Sequence, residues 1–432
     1  MRSNMFKAYV RKKLEGYVKR YFETHPEVKL IAVTGSVGKT STKRAVATLL
    51  SQRYRVGMHD GNQNTEMSVP CGILGIKYPT NIYNPLQWRA VFKLAEERIK
   101  NPSGVDMIVQ ELGTDHPGDI AAFGRYLTPD TALITAVTPE HMEYFGTIEM
   151  VAREEMSVAN YSRAVLINYD DIEGRFAENL TNENFATYGL AGLADYRFEQ
   201  HDFTVEDGFS GTIVAPGLPV DLPARIKVYG EHSLRPIVGA VAVAVRYGLT
   251  IEQIQAGLAL IRPVPGRMNL LKGIGGTTII DDTYNSSPAA AAAAMQSLYL
   301  LAEDAPQRIA ILGDMRELGA SSQMEHEKIG AMCDPQMLEW VVTVGSESQA
   351  YLAPVARQRG CQVKSFQSAV EAGAFVRSVA REGGVILAKG SQNTIYLEEA
   401  VKVLCEMSED VVLVRQSPEW IKTKNEFFSR FK

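Results

Sequence analysis

Leu30-Ile-Ala-Val-Thr-Gly-Ser-Val-Gly-Lys-Thr-Ser-Thr42 is the stretch whose reading decides the fold. Its first four residues are apolar and short of a helix, so they read as a buried strand. Lys43 to Leu50 read as a helix. A strand, a glycine turn and a helix N-terminus together form a phosphate site. Glycines let backbone N–H groups approach phosphate oxygens, and the helix dipole favours the anion. Gly35, Ser36, Val37, Gly38 and Ser41 are the candidate cradle. Lys39 is placed to reach the β- and γ-phosphates, and the Thr40 hydroxyl to hold Mg²⁺. Only two residues separate Gly35 from Gly38, where the general pattern has four before its Gly-Lys pair, so the strict motif is not met. The competing reading is an ordinary glycine turn.

The remaining composition narrows the class. The chain has 432 residues, 45% hydrophobic and 22% charged, which suits a soluble protein of two or three domains. A net charge of −5 implies no large nucleic-acid footprint. The cysteines at 71, 333, 361 and 405 form no close pair, which argues against a zinc site or disulfide framework and fits a reducing cytoplasm. No apolar run is long enough to span a membrane, and residues 1–28 lack the apolar core of a signal peptide.

Residues 5–23 read as an amphipathic helix with Phe6, Val10, Leu14, Tyr17, Val18 and Tyr21 on one stripe. Lysines and arginines line the rest. The stripe either packs on the next domain or gives a weak hold on an anionic membrane surface. Val105 to Leu112 is a strand pattern carrying Glu111 near its end. A carboxylate there, beside a phosphate loop, is a natural Mg²⁺ ligand, though a solvated strand end is the plainer alternative. Thr131 to Thr138 and Ala164 to Asn168 are further strands. Residues 186–230 have short β-rich runs broken by Gly and Pro, and read as a small antiparallel appendage. Arg262-Pro-Val-Pro-Gly-Arg-Met268 is a stiff connector. Beyond it, expected strands at 278–282, 308–313, 340–344, 362–365 and 385–388 alternate with helices, implying a Rossmann-like parallel sheet. The fold class is thus α/β, divided as a basic helix (1–28), a central nucleotide domain (29–262) and a C-terminal domain (263–432).

Several stretches, in order, resemble one family. TGSVGKTS is similar to the ATP loop of the Mur ligases, which folylpolyglutamate synthases share. Gly61-Asn-Gln-Asn-Thr-Glu-Met-Ser-Val-Pro70, ELGTDHPGDI from Glu111, HMEYFGT from His141, Asn168-Tyr-Asp-Asp171, Arg267 of the connector, Asp281-Asp-Thr-Tyr-Asn-Ser-Ser-Pro288, LGDMRELG from Leu312 and Lys389-Gly-Ser391 resemble the MurF type, which joins D-alanyl-D-alanine to a UDP-muramoyl tripeptide. The resemblance implies an ATP- and Mg²⁺-dependent ligase working through an acyl phosphate on small-molecule substrates, a carboxylate-bearing precursor and an amino acid or dipeptide. It implies Mg²⁺ at Glu111, a second Mg²⁺ at His141, Arg267 reaching the nucleotide, and Asp282, Tyr284 and Asn285 facing it.

The chain also departs from that pattern. Ser233 and Pro236 stand where the family has asparagines, so the resemblance assigns no adenine contact there, and Gln392 replaces an arginine. Glu155, fourteen residues after His141, stands where Mur ligases carry a lysine whose carbamate holds the second Mg²⁺. A glutamate offers two hard oxygens with one charge, so Glu155 is expected to substitute for the carbamate. Only about 28 residues precede the first strand, too few for the family's UDP-binding domain. Two alternatives therefore stand beside a peptidoglycan ligase: a ligase on another carboxylate, of folate or polyamide type, and a non-catalytic nucleotide-binding subunit.

Overall fold

Lys29–Thr34 forms β1, buried from Leu30 onward. Its side chains alternate between two cores. Leu30 and Ala32 join one cluster, Ile31 and Val33 the other. A strand covered on both faces belongs to the middle of a three-layer α/β unit. The computed structural model describes residues 2–59, 63–102 and 104–431, and places β1 in that position.

Eight further strands complete the first sheet: β2 (Val56–Met58), β3 (Met107–Glu111), β4 (Thr131–Ile134), β5 (Val165–Asn168), β6 (Phe185–Gly189), β7 (Tyr196–Thr204), β8 (Gly208–Val214) and β9 (Leu222–Ile226). Their order is β2-β3-β1-β4-β5-β6-β7-β8-β9. The strands are parallel through β7, and β8 and β9 run antiparallel. β1 lies between β3 and β4, so the chain leaves it in opposite directions on its two sides. Such a switch point opens a crevice at the carboxyl ends of the strands. Residues 186–230 hold the expected antiparallel strands, β7 to β9, and join them to this sheet through β6, which adds in parallel to β5.

Helix α1 (Arg2–Thr24) packs Val10, Leu14, Tyr17, Val18 and Tyr21 into the core on one face. That corrects the membrane alternative: the stripe it needs is already buried. Among the described residues no helix is long and apolar enough to cross a membrane. Helix α2 (Lys39–Leu50) covers the other face, alongside the apolar helix Arg235–Arg246.

The second sheet has β10 (Asn269–Gly273), β11 (Thr277–Asp282), β12 (Arg308–Gly313), β13 (Trp340–Val344), β14 (Val363–Phe366) and β15 (Val385–Lys389), in the order β10-β11-β15-β12-β13-β14. All are parallel except β10, which pairs antiparallel with β11. β11, β15 and β12 are neighbours. The stretches DDTYN, KGS and LGDM therefore emerge side by side at one edge.

Candidate active site

The phosphate loop is held in shape from several sides. Gly35 (φ 126°) and Gly38 (φ 87°) both have positive φ, and a Cβ on Gly35 would lie 2.2 Å from Thr135 Oγ1. No other residue fits there without displacing backbone. Residues 135–138, read as the end of a strand, in fact leave the sheet after Ile134 and brace the loop. The Thr135 hydroxyl donates to Val37 O at 2.5 Å and lies 3.0 Å from Thr34 O, which accepts from Thr135 N–H at 2.9 Å. Ser36 N–H donates to Ala136 O at 2.9 Å, and Thr138 N–H to Ser36 Oγ at 3.0 Å. Gly38 then caps α2, and Lys39, Thr40 and Ser41 follow in its first turn.

A cleft of about 1190 Å³ opens over this loop, and both sheets contribute to its walls. Ser36, Val37, Gly38, Lys39, Thr40, Ser41, Glu111, His141, Arg267, Asp282, Tyr284 and Asn285 all border it. Thr40 Oγ1 lies 3.1 Å from Glu111 Oε2, and Asn64 donates to the other oxygen of Glu111 at 3.2 Å. Gly61 and Asn62 of the same motif lie outside the described residues. Arg267 arrives from the far side, with Nη2 3.3 Å from Thr40 Oγ1 and its guanidinium 4.1 Å from the centre of the Tyr284 ring.

Lys39 sits among Glu140, Glu155 and Glu111. Burial opposes its charge, but those carboxylates outweigh burial and hold its pKa above the ordinary value. Glu140, which the sequence reading missed, lies 3.8 Å from Lys39 Nζ and 3.7 Å from His141 Nε2. His141 has positive φ (51°), and its Nδ1 is 2.8 Å from Glu317 of the LGDMRELG stretch. Burial disfavours its imidazolium; Glu317, Glu140 and Asp115 more than reverse that and raise its pKa.

Glu155 lies beneath the loop and does not border the cleft. Its Oε2 accepts from the Thr34 hydroxyl and, at 2.8 Å, from Gly35 N–H. Burial raises its carboxyl to about 7, against the pull of Lys39, Thr34 and Gly35. No bond joins it to His141. Among the described residues no group of three or more His, Cys, Asp or Glu forms a ready metal cage. The Thr40–Glu111 pair still fits Mg²⁺, which is commonly held by one or two protein oxygens, waters and substrate phosphates. Adjacent Glu154 is structural, accepting from Gly118 N–H at 2.7 Å and Ile120 N–H at 2.6 Å.

In the second sheet, Asp282 is 3.0 Å from Lys389 Nζ and accepts from Met268 N–H at 3.2 Å. Asn285 Oδ1 accepts from Gln392 N–H at 3.3 Å. Ser233 bonds Tyr229 O at 2.8 Å, and Pro236 lies in the first turn of its helix. His232 borders the cleft, and burial pushes its pKa down to about 4, so its ring is neutral at neutral pH.

Comparison with known proteins bears on the whole arrangement. The model of the Mur ligase middle domain matches residues 33–244, and that of the Mur ligase glutamate ligase domain matches 266–392. The chain belongs to the Mur ligase family. The UDP-N-acetylmuramoyl-tripeptide–D-alanyl-D-alanine ligase of Bacillus subtilis is 28% identical over 382 residues, covering 88% of this chain and 76% of the relative. Its Escherichia coli counterpart is 28% identical, covering 74% and 66%. Among solved structures, MurF from Acinetobacter baumannii superposes with a TM-score of 0.74 at 24% identity, covering 91% of this chain and 80% of that one. MurF from Thermotoga maritima in complex with ADP gives 0.70 at 22%, covering 93% and 82%. Folylpolyglutamate synthase from Mycobacterium tuberculosis gives 0.64 at 18%, covering 90% and 95%. As a Mur ligase, this chain is an ATP- and Mg²⁺-dependent enzyme that joins a carboxylate to an amine. Thr135 carries no signal of its own in one sequence, since it acts on a loop distant along the chain; Glu317 lies in a recognisable stretch, but its reach to His141 is not readable from it.

Proposed function

We propose that this Mur ligase couples D-alanyl-D-alanine, or a similar amine, to the carboxylate of a peptidoglycan precursor in the cytoplasm. The meeting of Thr40 and Glu111 with Arg267 in one cleft carries this reading. The substrate carboxylate attacks the γ-phosphate, ADP leaves, and the amine then displaces phosphate from the acyl phosphate. Phosphoryl transfer spreads charge over oxygens, so the protein contributes position and positive charge rather than a nucleophile. Lys39 faces that charge from the loop and Arg267 from the opposite wall. Mg²⁺, held by Thr40 and Glu111, supplies further charge at the phosphates when bound. Asp282, Tyr284 and Asn285 border the nucleotide side. His141 is the second-metal candidate: Nε2 would hold the ion while Nδ1–H keeps its bond to Glu317. Glu155 would be the carbamate substitute through Oε1, since Oε2 is taken by Gly35 and Thr34.

The test is phosphate release from ATP with a panel of carboxylate acceptors and amines, read with product mass. A UDP-muramoyl peptide gaining the dipeptide mass supports the proposal; turnover only with other acceptors overturns it. A folate or polyamide acceptor is the second reading, favoured by the chain's 95% coverage of folylpolyglutamate synthase. A nucleotide-binding subunit without catalysis would release no phosphate with any pair.

A further inference from the structure

After β15 the chain does not stay with the second sheet but returns to Tyr284, which borders the nucleotide cleft. Leu404 and Leu413 pack into that sheet's core, and helix Pro418–Phe428 closes the segment. This return lies beyond residue 392, where the matched family model stops. Between the two packed regions stands Arg415, with positive φ (54°) and a side chain only 7% exposed. Its Nη1 donates to Tyr284 O at 2.9 Å and its Nη2 to Thr283 O at 2.7 Å. Nε and Nη2 also donate to the two oxygens of fully buried Glu398, at 2.9 and 2.7 Å. Lys424, 3% exposed, lies 3.5 Å from Glu398 and bonds Glu399. Next to Arg415, Val414 abuts Gly266, where a Cβ would meet Val414 Cγ1 at 2.8 Å. Gly266 O in turn accepts from Tyr284 N–H at 2.9 Å.

One neighbour of this clamp, Tyr284, borders the nucleotide cleft, and another, Gly266, immediately precedes Arg267, which also borders it. The Tyr284 ring carries the Arg267 guanidinium on one side, and Arg415 lies 6.0 Å from the same ring centre. Arg267 Nε has no hydrogen-bond partner among the described residues, so the ring and Thr40 are what aim the guanidinium. A buried ion pair is weak support for stability, since apolar residues of the same volume often do as well. A guanidinium with four directed bonds, two of them to consecutive carbonyls, does something apolar residues cannot: it fixes the path of residues 283–284.

We propose that Arg415 is a positioning residue for the nucleotide site: it holds residues 283–284 so that the Tyr284 ring aims Arg267 at the phosphate end of the cleft. The proposal rests on the reading of this cleft as the ATP site. The C-terminal segment is then part of the machinery that closes over the nucleotide.

The test measures binding of a non-hydrolysable ATP analogue with Mg²⁺ to the full chain, beside melting temperature. Arg415→Lys keeps a charge for Glu398 but loses the planar fork. It is expected to weaken binding about tenfold, the scale of a charge-assisted contact. In the Arg267→Ala background the same change is expected to cost nothing further. Glu398→Gln, which keeps the shape and loosens the guanidinium, is expected to move affinity in the same direction and to the same Arg267-dependent degree. Equal losses with and without Arg267 overturn the proposal and leave Arg415 a packing residue. A wild-type chain that binds no analogue overturns the ATP-site reading and this proposal with it.

Discussion

At the scale of single residues, Lys39 and Glu155 separate two uses of buried charge. Lys39 points at the carbonyls of Gly35 and Ser36, and its cluster of carboxylates keeps it protonated. Lys39→Ala is expected to reduce ATP turnover more than tenfold while the fold persists, because one charge-assisted phosphate contact contributes about 1.5–3 kcal/mol. Steady-state phosphate release and far-UV circular dichroism check both halves. Glu155 works through its acceptor oxygen. Gln at this position retains an acceptor for Gly35 N–H and Thr34 but carries no charge. If Glu155 only braces the loop, Glu155→Gln turns over normally at limiting Mg²⁺; if it holds a second Mg²⁺, turnover falls and the Mg²⁺ requirement rises. Stability gives an independent readout. Burial raises the Glu155 carboxyl to about 7, so the folded chain holds that proton more tightly than the unfolded one. Stability is then lost as pH rises from about 4.3, the ordinary glutamate value, to about 7, and the full cost is present above that. The metal- and nucleotide-free Glu155→Gln variant is expected to melt above wild type at pH 8, with the gap closing by pH 5. A pH-independent gap would show that the charge is not what the site resists.

At the scale of elements, what could be read from sequence depended on whether a signal is local. The buried central strands were legible as apolar runs: β12 and β13 were expected at 308–313 and 340–344 and occupy those residues. α1 was legible from its stripe, but not its partner, since packing on a core and lying on a membrane require the same pattern. Burial decides it, with Val10, Leu14 and Val18 all fully covered. Leu14→Ala is therefore expected to cost about 2–5 kcal/mol, as for other large-to-small core changes. Urea unfolding measures it; a loss within 0.5 kcal/mol, the usual scale of a surface change, would mean that α1 detaches in solution. β10 escaped notice because four of its five residues are only partly covered or exposed, which blurs any alternation. Residues 135–138 read as strand because they are apolar or β-branched, yet their backbone serves the loop. The cradle was legible because its residues are consecutive. Its braces were not, because Thr135 and Glu155 reach the loop across long stretches of chain.

At the scale of the whole molecule, the site is assembled by contacts between the two sheet-bearing halves. Arg267 to Thr40 is one, Glu317 to His141 another, and Gly319 lies against Glu143 beside it. The His141 contact is the one that titrates. Burial lowers the pKa of the ring, and the bond to Glu317 with the charges of Glu140 and Asp115 outweighs it, so the folded value is raised. Glu317 is shifted the opposite way, first by its bond to His141. For a raised histidine the stabilisation is fully present below the ordinary value of about 6.5 and is lost as pH rises through the folded value. That loss falls on a contact between halves, so it acts on closure as well as on overall stability. A metal at His141 Nε2 would replace that nitrogen's proton and leave Nδ1–H on Glu317, so it competes with the imidazolium rather than with the bond. In the metal- and nucleotide-free protein, small-angle scattering is expected to give a constant radius of gyration below about pH 6.5, increasing as pH rises through the raised value. Glu317→Gln removes the carboxylate that favours the imidazolium, so its transition is expected at lower pH and with smaller amplitude. Identical profiles for the two proteins would show that the halves are held by Arg267 and packing alone, with the His141–Glu317 bond adding nothing to closure.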